Sequence, residues 1–421
     1  MRRRRAGEAD TGRRGVGPLI PPLSDSQRPL RQQIFERIRA AGAVSRVRLA
    51  RDLSISPASV TTLTSELIGA GLVEEISRDS EGARGRPAVA LGVRAEACHV
   101  AGVKLSDREH TAVLVDFAGN LVADDAAPGA GAPVPTEDLL DTLADLVDRL
   151  CARAGLAREK VAGLGLGAPG FIDTVSGVAH WSSALSARDV PLAAAARARL
   201  GMPVTIDNDA NLVTLAELWF GAGRSLSDFA VVTIEHGVGM GYVMNHRIIR
   251  GGRGVGMELG HTKVELDGAL CRCGQRGCLE AYVADYALAR EAMTALKLPP
   301  QARLREGQLL DELFRHAKGG NAAARSIFHR AGRYLAVGLA NVINIFDPTL
   351  IVLSGGRMRF DYLYAEETLA ELEHLAIATG RAPTPVEIHA WGDLLWAHGA
   401  AALALSEVSE RLLAQPREMA L

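Results

Sequence analysis

The chain has 421 residues, 48% of them hydrophobic, and a formal net charge of −2. That apolar fraction excludes wholesale disorder and is enough for one or more substantial cores. No apolar run approaches the ~20 residues of a membrane helix, and the basic start MRRRRAGEAD has no apolar stretch behind it, so neither a membrane span nor a secretory leader is expected.

The near-neutral total averages two unlike parts. Residues 1–90 hold 16 arginines, no lysine and 10 carboxylates, for +6, whereas residues 91–421 stand at −8. A basic head on an acidic body suits a nucleic-acid-binding module joined to a second function. An arginine-rich tail would give part of the same asymmetry, since residues 2–14 hold six arginines.

Residues 1–23 are rich in Arg, Gly and Pro, with Pro18, Pro21 and Pro22 breaking any helix, and read as a flexible arm. From Pro29 to Ala41 the residues Leu30, Ile34 and Ile38 recur at helical spacing. Ser45 caps a second helix over Arg46–Leu53, and Ser56 caps a third that opens with Pro57. Gly71 stops that helix, and residues 72–76 read as a strand. Three short helices followed by a strand pair describe a winged helix-turn-helix over residues 24–92, whose third helix enters the major groove. The expected DNA contacts are Ser45, Arg46, Ser56, Pro57, Ala58, Ser59, Thr61 and Thr62, together with the wing hook Arg84-Gly85-Arg86-Pro87, narrow and cationic enough for a minor groove.

From about residue 95 strands alternate with helices. A hairpin fits 100–105 and 111–117, a helix 136–154, and a buried strand 161–167. Further strands fit 204–206, 229–234 and 350–353, and long helices fit 320–346 and 394–412. This alternation predicts a mixed α/β body over residues 93–415.

Cys271, Cys273 and Cys278 lie within eight residues of one another, with His261 ahead of them. One imidazole and three thiolates suit tetrahedral zinc, and four protein ligands make that zinc structural rather than catalytic. A clustered, odd cysteine count argues for a reducing, cytoplasmic setting. The run Ile206-Asp207-Asn208-Asp209-Ala210-Asn211 places carboxylates and carboxamides where a strand meets a helix. Asp209 there could serve as general base toward a sugar hydroxyl, or these residues could simply cap the helix. The glycine-rich stretches 235–241 and 354–356 each follow a strand and could cradle phosphates, although tight turns also call for glycine.

In this order the pieces resemble the ROK family (repressors, open reading frames and sugar kinases) over about residues 25–415. The carriers are SRVRLARDLSISPASVTTLTSELIGAGLVEE with the GRP wing, GLGAPGFID, IDNDANLVTLAELWFGAGR, GVGMGYVMNHRIIRGGRGVGMELGH and CRCGQRGCLE. The resemblance implies a two-lobed, actin-like fold with a sugar cleft between the lobes and a C-terminal helix returning to the first lobe. It also implies zinc on His261, Cys271, Cys273 and Cys278. Sugar hydroxyls would meet Asn208, Asp209, Glu258, His261 and Glu280, with Asp209 at the position of the family's catalytic base.

Kinase members open with an Asp-x-Gly-Gly-Thr phosphate loop, where this chain has Lys104-Leu105-Ser106-Asp107-Arg108. Their second loop reads Gly-Thr-Gly-x-Gly-x-Gly, and its first two positions are Glu235 and His236 here. Lost glycines, a lysine in place of the metal-facing Asp, and a carboxylate at the γ-phosphate position predict loss of ATP chemistry. The turn Trp181-Ser182-Ser183-Ala184-Leu185 departs from the kinases' Pro-Asn-Leu-like turn, so the sugar pocket differs there too. The expected function is therefore that of a sugar-responsive repressor of the xylose-repressor and NagC type. It would take a sugar or sugar phosphate as effector and act on operator DNA as a homodimer or homotetramer. The alternatives are a bifunctional sugar kinase using Asp209 and a scaffold that binds a transport protein.

Overall fold

Apolar residues at helical spacing fold the head around Ile34, Phe35 and Ile38, all fully buried. The computed structural model describes residues 4–5, 15–19, 28–77, 89–252, 254–297, 305–361, 365–377, 380, 382–390, 392 and 394–414. After a two-residue strand β1 (Arg4–Arg5), helices α1 (Leu30–Ala41), α2 (Arg46–Leu53) and α3 (Pro57–Gly69) pack together. Strands β2 (Val73–Ser77) and β3 (Val89–Val93) then pair antiparallel, Val73 opposite Val93 and Ser77 opposite Val89. Three helices and a strand pair follow in the order expected of a winged helix. The hook Arg84-Gly85-Arg86-Pro87 lies outside the described residues.

The first lobe runs β4 (His99–Lys104), β5 (Glu109–Asp116), β6 (Leu121–Pro128), α4 (Thr136–Ala154), β7 (Val161–Ala168), β8 (Phe171–Asp173), β9 (Val178–Trp181), α5 (Leu192–Leu200) and β10 (Val204–Asn208). The second runs α6 (Asp209–Phe220), β11 (Phe229–Ile234), β12 (Val238–Met244), β13 (Arg247–Ile248), α7 (Glu280–Val283), α8 (Asp285–Ala295), α9 (Glu306–Lys318), α10 (Ala322–Phe346), β14 (Ile351–Ser354), α11 (Glu366–Leu375) and β15 (Val386–Ala390). Helix α12 (Leu395–Ala414) follows.

The two main sheets repeat one plan. Their orders are β10-β7-β4-β5-β6 and β15-β14-β11-β12-β13, with β1 beside β15. In each, three successive antiparallel strands are extended by two parallel strands on the side of the first. This duplicated order is the actin-like, two-lobed α/β fold. Helix α12 lies on β4 and β7 of the first lobe and against α6, which lies on β11 and β12 of the second. That close approach needs glycine: a Cβ on Gly165 would stand 1.8 Å from the Ala400 carbonyl oxygen.

Two expectations change. The stretch 235–241 is a turn only over Glu235–Gly237, because Ile234 already pairs with Val238 and β12 begins there. Gly239 and Gly241 serve packing instead, since a Cβ on either would run into Ala210 or Thr214 of α6. Within the expected arm 1–23, residues 15–19 hold a fixed place. Val16 is buried, its N–H donates to the Arg39 carbonyl at 3.0 Å, and the Gly17 N–H donates to the Trp219 carbonyl at 2.9 Å. Arg39 of α1 lies 4.4 Å from the Trp219 ring and donates to Ser409 Oγ at 2.7 Å, and Phe35 meets Phe117 at 5.1 Å between ring centres. Head and body thus share one apolar core.

Candidate functional site

The end of β10 turns directly into α6, and Asn208 caps the junction. Its Oδ1 accepts the Ala210 N–H at 2.8 Å, and its Nδ2 donates to the Gly170 carbonyl at 2.7 Å. Asn208 thus caps the helix, one of the two readings of this run, and its amide also ties the end of β10 to Gly170. Asp209 follows with one carboxylate oxygen on the Ala210 N–H at 2.9 Å. Burial pushes its carboxyl up to about 6, with Lys104 pulling it down and Glu235 pushing it further up.

Glu258 and Glu280 reach the same region from the second lobe. The Glu258 side chain is open to the cleft, yet the surrounding wall strips water from its carboxyl. Together with the Asp209 and Glu280 charges, this pushes its pKa up. Glu280, first residue of α7, accepts the Val238 N–H at 3.3 Å. Of the five expected sugar residues, Asp209 and Glu280 act on Glu258 and His261 Nε2 lies 4.0 Å from it, while Asn208 precedes Asp209 in the chain; the carboxylates are acceptors that suit hydroxyl donors.

Sequence reasoning missed what holds them. Asp207 is fully buried and accepts from Arg250 Nη2 at 2.6 Å and Nε at 2.8 Å, from Asn211 Nδ2 at 2.8 Å and from Thr174 Oγ1 at 3.2 Å. This ion pair ties the strand that presents Asn208 and Asp209 to the loop that leads to Glu258. No local pattern signals it, because Arg250 stands 43 residues away in sequence.

At the other end of the cleft, Lys104 Nζ lies 3.9 Å from Glu235 Oε2 and 3.7 Å from the centre of the Trp396 ring. The other oxygen of Glu235 accepts the Gly356 N–H at 2.9 Å. Three segments expected to face phosphates are therefore joined by one carboxylate. A second bridge lies beside it: Glu306 accepts from Arg108 of the first lobe at 3.4 Å and from Arg272 at 2.7 Å. His236 Nδ1 stands 3.0 Å from the buried Asp285 and 3.7 Å from Glu306. Two guanidinium groups on Glu306 oppose a cation in this second cluster.

Among the described residues the cysteines are free thiols. One ligand atom from each of His261, Cys271, Cys273 and Cys278 falls within 4.8 Å of the others. Cys273 Sγ and Cys278 Sγ are 3.7 Å apart, and Cys271 Sγ is 3.8 Å from His261 Nδ1. Metal–sulfur bonds of about 2.3 Å in a tetrahedron give edges of about 3.8 Å, so these residues fit a zinc ion. With Nδ1 turned to the thiols, His261 Nε2 faces Glu258 at 4.0 Å, a ligand–carboxylate contact of the kind that fixes a metal-bound imidazole.

In the head, Ser45 Oγ accepts the Arg48 N–H at 3.3 Å and Ser56 Oγ accepts the Ser59 N–H at 3.0 Å. Ser56, Pro57, Ala58, Thr61 and Thr62 are exposed along α3, and Ser59 is half-buried. Arg46 is already engaged, donating to Thr64 Oγ1 at 3.1 Å and Glu75 Oε1 at 2.8 Å. Arg48 and Arg51, which the sequence did not single out, are the exposed cations of α2, flanking Asp52 at 3.5 and 3.6 Å. Among the described residues, no helix is long and apolar enough to cross a membrane.

Comparison with known proteins gives a match of the ROK family model to residues 100–407. The DNA-binding transcriptional repressor Mlc of Escherichia coli K12 is 32% identical over 325 residues, 76% of this chain and 79% of that protein. Among solved structures, a ROK family transcriptional regulator that is a homologue of the E. coli MLC protein has a TM-score of 0.76 at 24% identity, covering 91% of this chain and 97% of its own. The ROK hexokinase of Thermus thermophilus has a TM-score of 0.63 at 32% identity, covering 74% and 99%.

Proposed function

Because the chain belongs to the ROK family, we propose that it is a sugar-responsive transcriptional repressor whose body binds its effector without transferring phosphate. The observation that carries this reading is the Lys104–Glu235–Gly356 bridge. It sets a carboxylate and its counter-ion where a kinase needs a metal-bound triphosphate on free backbone N–H groups. The likeness to a DNA-binding transcriptional repressor supports the same reading.

Operator DNA would meet α3 through Ser56, Pro57, Ala58, Ser59, Thr61 and Thr62, with Ser45 near the backbone and Arg84–Pro87 in the minor groove. Arg46 supports α3 from behind, and Arg48 and Arg51 supply phosphate contacts. Two or four copies would read an inverted repeat. The sugar would lie among Asn208, Asp209, Glu258, His261 and Glu280, held by a zinc ion on His261, Cys271, Cys273 and Cys278. That zinc supplies rigidity and no chemistry. The effector acts by binding the DNA-competent and DNA-incompetent states with different affinity, and the core shared by α1, α6 and α12 links the site to the head.

Promoter DNA from beside the protein's own gene tests the reading. Binding should fall steeply with salt, and Arg86→Ala should weaken it. Absence of binding to any such fragment contradicts the proposal. A kinase reading is favoured by one observation, the carboxyl of Asp209 held at about 6, near the range of a general base. Asp209-dependent ATP turnover with any sugar would establish it.

A further inference from the structure

The sugar end of the cleft is lined by carboxylates. Asp209 and Glu280 both act electrostatically on Glu258, and Glu235 acts on Asp209 from the nucleotide side. Gly237 closes the distance between the two ends, since a Cβ there would stand 2.8 Å from Glu280 Oε2.

The cations around them are largely engaged. Arg250 is bound by the buried Asp207, Arg108 and Arg272 by Glu306, and His236 faces Asp285. Among the described residues Lys104 is the cation that acts on Asp209, and it faces Glu235 as well. The Gly356 N–H, which would be the natural donor to an incoming phosphate, is taken by Glu235 Oε1 at 2.9 Å.

We propose that this cleft selects an unphosphorylated sugar, neutral or carrying a protonated amine, and rejects the corresponding sugar phosphate, with Glu235 as the residue that discriminates. The inference rests on the sugar-binding reading above and narrows it. Among the described residues the sugar end sets Asp209, Glu258, Glu280 and, beyond Gly237, Glu235 against the Lys104 ammonium, so a dianion placed there is repelled, the more so where water is partly excluded. Hydroxyls and an ammonium group, by contrast, both donate to carboxylates. At the end nearest the lost phosphate loops, Glu235 is itself the anion: it uses the backbone donor and the lysine that a phosphate would need. Like-charge rejection of the wrong ligand is a recognised route to specificity.

Titration calorimetry on the full, metal-loaded chain tests this with matched pairs. Glucose, mannose, N-acetylglucosamine and glucosamine are each compared with their 6-phosphates, and xylose with its 5-phosphate. Inorganic phosphate controls for anion binding by the arginine-rich head. At least one free sugar should bind, at least tenfold more tightly than its phosphate. Glu235→Gln keeps an acceptor for the Gly356 N–H, and it should narrow that ratio to below threefold by improving the phosphate ester alone. A phosphate ester that binds the unaltered protein as well as or better than its free sugar overturns the inference while leaving the sugar site intact. A ratio unchanged in Glu235→Gln overturns the role of Glu235. Binding of no sugar in either form overturns the sugar reading and the inference together.

Discussion

The two ends of the interlobe cleft have opposite characters. At the sugar end, Asp209, Glu258 and Glu280 crowd like charges together, and burial drives the Asp209 carboxyl up to about 6. At the nucleotide end, charges have found partners within the chain: Lys104 with Glu235, and Arg108 and Arg272 with Glu306. On the proposed reading, the first end holds its charges for a ligand, whereas the second has satisfied its own. On that reading, this contrast would let one fold keep sugar recognition while shedding phosphoryl transfer, since catalysis depends on charge positioning at a place that Glu235 would occupy.

The largest effect should come from the metal cluster that backs the sugar end. Cys273→Ser, or prolonged chelation, is expected to release zinc and lower Tm by on the order of 10 °C, and to abolish the sugar response. Metal analysis and a thermal scan check it. Less than about half an equivalent of zinc in the unaltered protein would remove the cluster from the account.

Next is the latch beneath the site. Arg250→Ala leaves the carboxylate of Asp207, 1% exposed, without its cation. It should cost about 3 kcal/mol in urea unfolding, tempered by the donors Asn211 and Thr174 that remain. Sugar affinity should fall with it, because Glu258 follows Arg250 on the same loop.

Asp209→Asn sharpens the contrast in the opposite direction. The carboxyl rises from an ordinary 3.8 to about 6 in the folded chain, so its favourable contribution is present below pH 4 and is lost as pH rises through 6. The variant should therefore gain roughly 1–3 kcal/mol at pH 7–8 and nothing at pH 4, while losing sugar binding. A gain that does not depend on pH would contradict the strain ascribed to this end.

The smallest effect belongs to the nucleotide end. Lys104 and Glu235 are partly exposed and 3.9 Å apart, so Lys104→Ala should change stability by less than about 1 kcal/mol. A much larger loss would show that the bridge carries the lobe arrangement rather than simply filling a vacated site.

Local signals made much of this molecule legible. Ser45 and Ser56 mark helix starts, the α2 span Arg46–Leu53 and the β11 span Phe229–Ile234 follow from their apolar pattern, and the histidine–cysteine spacing points to one metal-sized cluster. What escaped depends on contacts distant in sequence. The glycines at 239 and 241 read as phosphate loops until α6 is seen lying across them. Residues 15–19 look like free chain because their partners, Arg39, Trp219 and Arg224, belong to the head and the second lobe. Lys104 and Glu235 each read as a lost kinase residue, and only the fold makes them partners.

Control of a DNA-binding head by a sugar cleft that does not transfer phosphate can be followed in one titration. Fluorescence anisotropy of labelled promoter DNA is followed while the full protein is added, with and without the sugar that calorimetry identifies, in buffer lacking ATP and magnesium. Tight, salt-sensitive binding is expected, with an apparent Kd that rises at least fivefold with sugar. An isotherm that sugar leaves unchanged, or that responds only when ATP and magnesium are supplied, would contradict it.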